Sequence, residues 1–564
     1  MVGSGTPRGY PPPRPGHRAP TSATTSVEAV TGAEIPPGPD AEPVTRGPRQ
    51  LLRSSVVVAV GTGLSRVTGF ARTAVLAWVL GATALAESYN LANNTPNLLY
   101  DLVIGGVLSA TLVPVVVEAM DDDDRDGLNA IATVISVILI IATLLTVVAA
   151  PLVIRLYNVT SPPGQASEQS QLAVPLLMLF APQILFYGLT TLFTALLNAR
   201  RAFAAAAFAP VLNNVVVICV FLALPRIAAS DLTFDSVVAD RWLMFLIGAG
   251  TTAGIVAMTL VLLPALRHNH ISLRWRFAPR DPAVRRILRL SGWTFAYVLV
   301  NLVAYGVVQV LANGVGGVTI YAYAWMFLQL PYGLWTVSVM TTHLPELAHD
   351  WSRDALGSFR ARLDSGLRLI LVVVLPASAG LILLSSPIVG AVFEHGQFTG
   401  AAADTTANTV TAFLFGLPGF SLMLYAFRCF YAQRDTRTPF IVNLIESIVA
   451  VGLAIALVDR YGVVGLAAAN SIAMTAFAVV ALILLHRRVG GYMSRHGLRD
   501  MTKMVVATAL MALVVAFAVR SAGAGDVASL VLGGVLGLVV YVGALTAMGT
   551  DETRLITERL RRRT

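Results

Sequence analysis

Arg66 and Arg72 stand six residues apart in a stretch that is otherwise apolar. A guanidinium is a planar, permanently charged fork that matches the oxygens of a phosphate or diphosphate. On a helix the two side chains would differ by about 120° in direction and about 9 Å in height. They could border a wide cavity together, or one could meet a ligand while the other pairs with a carboxylate. Asp101 is the candidate charge partner, and Glu87 lies near the junction of the two apolar runs that carry these groups. The bland alternative for each arginine is snorkelling or an internal ion pair.

Other polar groups inside apolar runs are few. Arg428 lies close to a polar break, where snorkelling is the simpler reading. Glu446 has Asn443 one turn before it and Asn470 on the next run. Such oxygens suit Na⁺, and a lone membrane glutamate suits a proton carrier; the alternative is a glutamate bonded to neighbouring helices. Asn90, Asn93, Asn94 and Asn97 recur on one run, and Asn301, Gln309 and Asn313 on another. Amides between membrane helices commonly hold them together, and a shared cavity lining is the functional alternative. No metal motif, P-loop, nucleophile elbow or Cys/His pair appears. The sequence therefore implies no cofactor and no enzyme. The acidic run Asp121–Asp124 reads as a solvated loop.

The elements that must hold these groups follow from composition. The chain has 564 residues, 56% hydrophobic and 13% charged, with a mean hydropathy of +0.72. Soluble domains are about 25% charged, so that class is excluded. About fourteen apolar runs follow one another, from 54–80 and 88–117 to 501–519 and 527–548. Each has the roughly 20 residues that cross a bilayer core as a helix, and all are too long and continuous for barrel strands. The expectation is an all-α polytopic membrane protein. Residues 1–50 differ: eleven prolines between Pro7 and Pro48 and few large apolar side chains predict a disordered tail with no signal peptide.

The net charge of +9 is nearly all arginine, since Lys503 is the only lysine. These charges cluster in short loops, which signals membrane orientation and not a nucleic-acid groove. With the N-terminus inside, twenty-five basic residues fall in inside loops and the C-terminal tail, and five in outside loops. Both termini are then cytoplasmic.

An internal repeat is also legible. Leu64-Ser65 matches Leu290-Ser291, Thr111-Leu112-Val113-Pro114 matches Thr342-His343-Leu344-Pro345, and Ala181-Pro182 matches Leu417-Pro418, all offset by close to 230 residues. Six helices per repeat preserve orientation, so the halves are expected to be parallel repeats around a central cavity. The expected division is a tail over 1–50, a six-helix lobe over 51–266, a second over 267–490, a helix pair over 491–550 and a basic tail over 551–564.

Several of these residues carry a family resemblance. Ser65-Arg66-Val67-Thr68-Gly69-Phe70-Ala71-Arg72 resembles the Ser-Arg-x-x-Gly-x-x-Arg signature of the MurJ (MviN) family, and Pro96-Asn97-Leu98-Leu99, Gly106, Ser109, Val113 and Pro114 continue it. Phe393-Glu394-His395-Gly396-Gln397-Phe398-Thr399 is similar to that family's outer loop. Phe430 to Pro439 resembles its C-terminal signature. The resemblance spans residues 50 to about 550 and implies membership of the multidrug/oligosaccharidyl-lipid/polysaccharide exporter superfamily. It implies fourteen helices in two lobes, with a final pair forming a groove for the lipid tail. It also implies the flipping of lipid II, the undecaprenyl-diphosphate-linked peptidoglycan precursor, across the bacterial cytoplasmic membrane by alternating access. Carried over to this chain, Arg66 and Arg72 would bind the diphosphate; Ser65 and Asn97 join them as candidate substrate-binding residues, and Glu87 and Asp101 are read from their own charge as tuning or gating the site. The sequence departs from the pattern at Tyr100, Asp101 and Gly105, and at Trp325-Met326, where the family carries Asp-Arg. A divergent member could therefore move another lipid-linked sugar, a polysaccharide or a drug. A membrane scaffold for cell-wall or division proteins, docking through the tail, is the reading from a different class.

Overall fold

The computed structural model describes residues 48–100, 112–121, 124–228, 231–290, 292–522 and 525–550. Asp101, Gly105 and the tails before residue 48 and after residue 550 lie outside them.

Among the described residues the chain is helical, without strands. The first part comprises α1 (Pro48–Leu80), α2 (Ala84–Tyr100), α3 (Leu112–Asp121), α4 (Arg125–Tyr157), α5 (Pro163–Phe180), α6 (Pro182–Ala199), α7 (Phe203–Ile227), α8 (Phe234–Ala239), α9 (Arg241–Leu260) and α10 (Leu262–His268). An amphipathic α11 (Pro282–Leu290) follows. The second part comprises α12 (Gly292–Gly314), α13 (Val318–Pro331), a π-helical turn at Tyr332–Thr336, α14 (Val337–Ser352), α15 (Leu356–Leu383), α16 (Ser385–Phe393), α17 (Gly400–Ala432) and α18 (Arg437–Val489). Helices α19 (Arg495–Ala522) and α20 (Asp526–Met548) close the chain.

Among the described residues, ten segments are long and apolar enough to cross a membrane by length and composition. One of them, α18, has 53 residues. At 1.5 Å per residue that is about 80 Å, more than twice a bilayer core. The chain resolves the excess by breaking at Gly462, whose φ of 57° and ψ of −139° no helix contains. This gives two helices where the sequence predicts runs at 438–458 and 462–486. The π turn has a comparable cause. Pro331 has no N–H to give and its ring crowds the preceding turn, so the helix re-registers over the next five residues.

Helix α1 packs on α7, α7 on α9, α2 on α5, and α4 on α6. In the second part α12 packs on α18, α13 and α15 on α17, and α14 on α15. Helices α19 and α20 pack on each other and lean on α15 and α16. The outer face is apolar, with Val148 81% and Leu145 63% exposed on α4. The stretch joining the two parts is held to α4, because Arg274 and Arg276 donate their backbone N–H groups to the Asn129 and Thr133 side chains at 2.7 and 2.9 Å.

At one end of the bundle the two helix groups are tied together. Glu87 on α2 accepts the backbone N–H of Val318 at 2.8 Å and of Thr319 at 2.9 Å, the first turn of α13. Free N–H groups and the helix dipole make that position favourable for a carboxylate. Asn90 adds a bond from its amide to the Thr319 hydroxyl at 3.0 Å. Asn313 at the end of α12 donates to the Asn158 side chain at 2.7 Å and exchanges bonds with Gln169, at 2.8 and 3.1 Å. The main chains meet directly where Gln397 N–H donates to the Trp78 carbonyl at 3.1 Å. That approach needs two glycines in left-handed backbone. A Cβ on Gly81 (φ +66°) would lie 2.3 Å from the Gln397 oxygen, and one on Gly396 (φ +63°) 2.4 Å from the Trp78 oxygen.

Candidate functional site

A cavity of about 350 Å³ lies between the two helix groups. Helix α1 supplies Arg66 and Arg72; α2 supplies Asn90, Asn93, Asn94 and Asn97. Positions 90, 93, 94 and 97 fall within an arc of about 100° on one helix face. Helices α6, α7 and α9 add Tyr187, Asn213 and Thr251, and α13 adds Tyr323, Trp325, Met326 and Gln329.

The two arginines are half-buried, and among the described residues no carboxylate pairs with either. Arg72 faces the cavity with no bonded partner among the described residues. Arg66 reaches across to the other helix group, its Nη2 standing 3.5 Å from the Gly333 carbonyl in the π turn. A side chain at 333 would occupy the guanidinium's space, since a Cβ there would lie 2.6 Å from Nη1. The arrangement therefore offers two fixed positive charges in a polar cavity of low dielectric surroundings, where a bound anion is held far more firmly than in water.

The other residues singled out in the sequence divide. Asn97 lines the cavity, but its amide nitrogen bonds the Asn93 carbonyl of its own helix at 3.1 Å. Ser65 is not among the cavity residues; its carbonyl accepts from Asn214 at 3.2 Å, which ties α1 to α7. Glu87 lies at the tied end, 8% exposed, away from the cavity lining. Asp101 falls outside the described residues. Glu446 is buried, with Ser447 donating at 3.5 Å, and Asn443 is buried beside it with its amide nitrogen unbonded. Tyr321 stands between this pair and Asn470, within electrostatic reach of Glu446 and close to the Asn470 side chain. Among the described residues no three His, Cys, Asp or Glu side chains converge as metal ligands. Arg428 lies over the Tyr431 ring, 6.0 Å from its centre.

Asn213, Thr251, Tyr187 and Gln329 escaped the sequence reading. A lone amide or hydroxyl in an apolar run carries no sign of which way it faces. Trp325 and Met326 were legible only as a departure from the family pattern, and both line the cavity.

Long apolar helices, a polar cavity between two groups of them and charged donors that pair with no carboxylate among the described residues define a multi-pass membrane transporter. The comparisons specify it. The model of the family described as lipid II flippase MurJ matches residues 76–536. The chain belongs to the MurJ lipid II flippase family. A protein of Rickettsia prowazekii (strain Madrid E) described as "Probable lipid II flippase MurJ" is 29% identical over 428 residues, covering 75% of this chain and 81% of that one. Among solved structures, a lipid II flippase MurJ in an inward closed conformation superposes with a TM-score of 0.72 at 23% identity, over 88% of this chain and 99% of that one. An inward-facing multidrug resistance MATE transporter of the MOP superfamily gives 0.63 at 14% identity, over 78% and 98%. At these identities the structural likeness speaks for the fold.

Proposed function

We propose that the protein carries lipid II from the inner to the outer leaflet of the bacterial cytoplasmic membrane by alternating access. The observation that carries this reading is the pair Arg66 and Arg72, two guanidiniums facing one cavity between the helix groups with no carboxylate among the described residues to neutralise them. A buried charge kept without a partner is costly and marks a ligand or ion path. The diphosphate of a polyprenyl-linked sugar answers it, and the polyprenyl tail stays in lipid. Transport of this kind forms no covalent bond, so no nucleophile or cofactor is required.

In this reading the two lobes are residues 51–266 and 267–490, with 491–550 as a further helix pair. The arginine distribution puts both termini in the cytoplasm and the tied end outside. The cavity is then reached from the cytoplasmic side, and Glu87 holds the outer end shut. Asn97 contributes to the cavity surface, and Asp101, four residues on, to its charge balance. Glu446, Asn443 and Asn470 form a candidate cation or proton site in the second lobe. At about 350 Å³ the cavity is near the lower limit for a drug-sized ligand. A headgroup of diphosphate, sugars and peptide is larger, so the lobes must part to take it in.

Trp325 and Met326 favour a second substrate reading, because they put an apolar patch where the family pattern has a charged pair. That chain would move a lipid-linked sugar other than lipid II. Depletion and rescue test both. In cells depleted of their own flippase, wild-type protein should restore growth and lipid II export, and the Arg66→Ala, Arg72→Ala double variant at equal membrane abundance should not. Growth restored by the double variant would refute the site and favour a scaffold. Failure of the wild type with accumulation of a different lipid-linked sugar would favour the second reading.

A further inference from the structure

We propose that Asn93, Asn94 and Asn213 form a second subsite in the cavity, for the uncharged sugar and amide portion of the headgroup; this rests on the transport reading above. The bonding pattern separates these residues from the amides that serve as helix glue. Asn90 and Asn313 are buried and bonded across the two helix groups. Asn214, next to Asn213 in sequence, bonds the Ser65 carbonyl and the Thr68 hydroxyl. In contrast, Asn93 Oδ1, Asn94 Nδ2 and Asn213 Oδ1 are inaccessible to solvent and unbonded among the described residues. Asn213 is only 5% exposed. All three residues line the cavity that holds Arg66 and Arg72.

An unbonded buried amide subtracts from stability and adds nothing to helix association. Three of them around one cavity, on α2 and α7, are therefore poor glue. Together they present both acceptors and a donor, and an amide can exchange the two by turning over. The ligand that satisfies such a set carries hydroxyls, N–H groups and carbonyls without net charge, which describes an acetamido sugar or a peptide amide. The division of labour is then spatially simple. Arginines on α1 hold the diphosphate, and amides on α2 and α7 read what is attached to it. In this conformation the amide atoms are covered by the packing around them, Asn213 Oδ1 lying against Gly254 of α9, so they gain partners only when these helices part around a headgroup.

The test compares two lipids on full-length protein in nanodiscs: undecaprenyl diphosphate, which lacks the sugar, and lipid II. Wild type should bind lipid II about tenfold more tightly than the bare diphosphate, the return expected from a few neutral hydrogen bonds. The Asn93→Ala, Asn213→Ala variant should lose that preference by weakening lipid II alone. Asn213→Leu should keep or raise the thermal midpoint, since it replaces an unbonded polar group by an apolar one of similar size. Arg72→Ala should weaken both lipids. Equal affinity of wild type for the two lipids, a preference that survives in the asparagine variant, or a drop in thermal midpoint with parallel loss of both lipids would each overturn the subsite. Failure of wild type to bind either lipid would instead overturn the transport reading, a separate result.

Discussion

Removing the carboxylate of Glu87 should unlock the tied end. It is a single side chain on α2 that accepts two backbone N–H groups of α13, at 2.8 and 2.9 Å, and it is almost fully buried. Hydrogen bonds to a charged group contribute about 1.5–3 kcal/mol each. Glu87→Ala removes both and leaves two N–H groups without partners unless water enters. Taking the lower figure for each, the tied state loses about 3 kcal/mol, roughly 150-fold in the ratio of open to tied end. Glu87→Gln keeps the shape and one acceptor, so it should cost less, about tenfold or below. Spin labels at Thr83 and Val315, in a background without Cys219 and Cys429, would read the gap between α2 and α13 directly. The expected result is a longer-distance population that grows from wild type to Gln to Ala, with transport falling in the same order. An unchanged distance distribution in Glu87→Ala, at normal thermal midpoint, would refute the assignment of this carboxylate as a clasp.

Arg72→Ala should weaken the diphosphate lipid by about one to two orders of magnitude, from the loss of a charge-assisted contact. Membrane abundance should hold, because no described carboxylate is left behind, and Arg72→Lys should restore part of the affinity by keeping charge without the fork. Gly333→Ala should displace the Arg66 guanidinium, whose nitrogens occupy the space of the added methyl group. In growth complementation the combination with Arg66→Ala should be no worse than Arg66→Ala alone. Asp435, in the loop between α17 and α18, gives an acid limit. Its partial burial by itself would raise the carboxyl, but the Thr438 backbone and hydroxyl and the Arg488 guanidinium outweigh that and hold it below the usual carboxylate range. Its contribution is therefore complete above the unfolded value of about 4 and lost as pH falls further, through the folded value. The thermal midpoint should drop below about pH 4 in wild type and drop less steeply in Asp435→Asn.

The bundle was legible in the sequence because a bilayer demands long apolar runs, and the described parts of those runs are helical. Gly462 divides α18 within three residues of the break between two predicted runs. The arginines were legible because charge is rare in such runs, and both reached the cavity. Ser65 did not, although it belongs to the same signature: its neighbour lines the cavity while Ser65 meets α7 through its main-chain carbonyl. Glu87 was legible as an unusual carboxylate but not by its partner, which is 231 residues away. The amide stripe on α2 was visible as spacing. Which of its members are bonded depends on Thr319 and on the other groups around the cavity, and no local pattern records that.

The meeting of Gly81 with Gly396 has an evolutionary consequence. Each glycine makes room for the main chain beside the other, so neither position can accept a side chain while the opposing loop keeps its course. The turn after α1 and the loop after α16 are thus one unit of inheritance, separated by more than 300 residues of sequence. A lineage that lengthens or fills one of them must reshape the other in step, and relatives that have lost one glycine should have lost the pair.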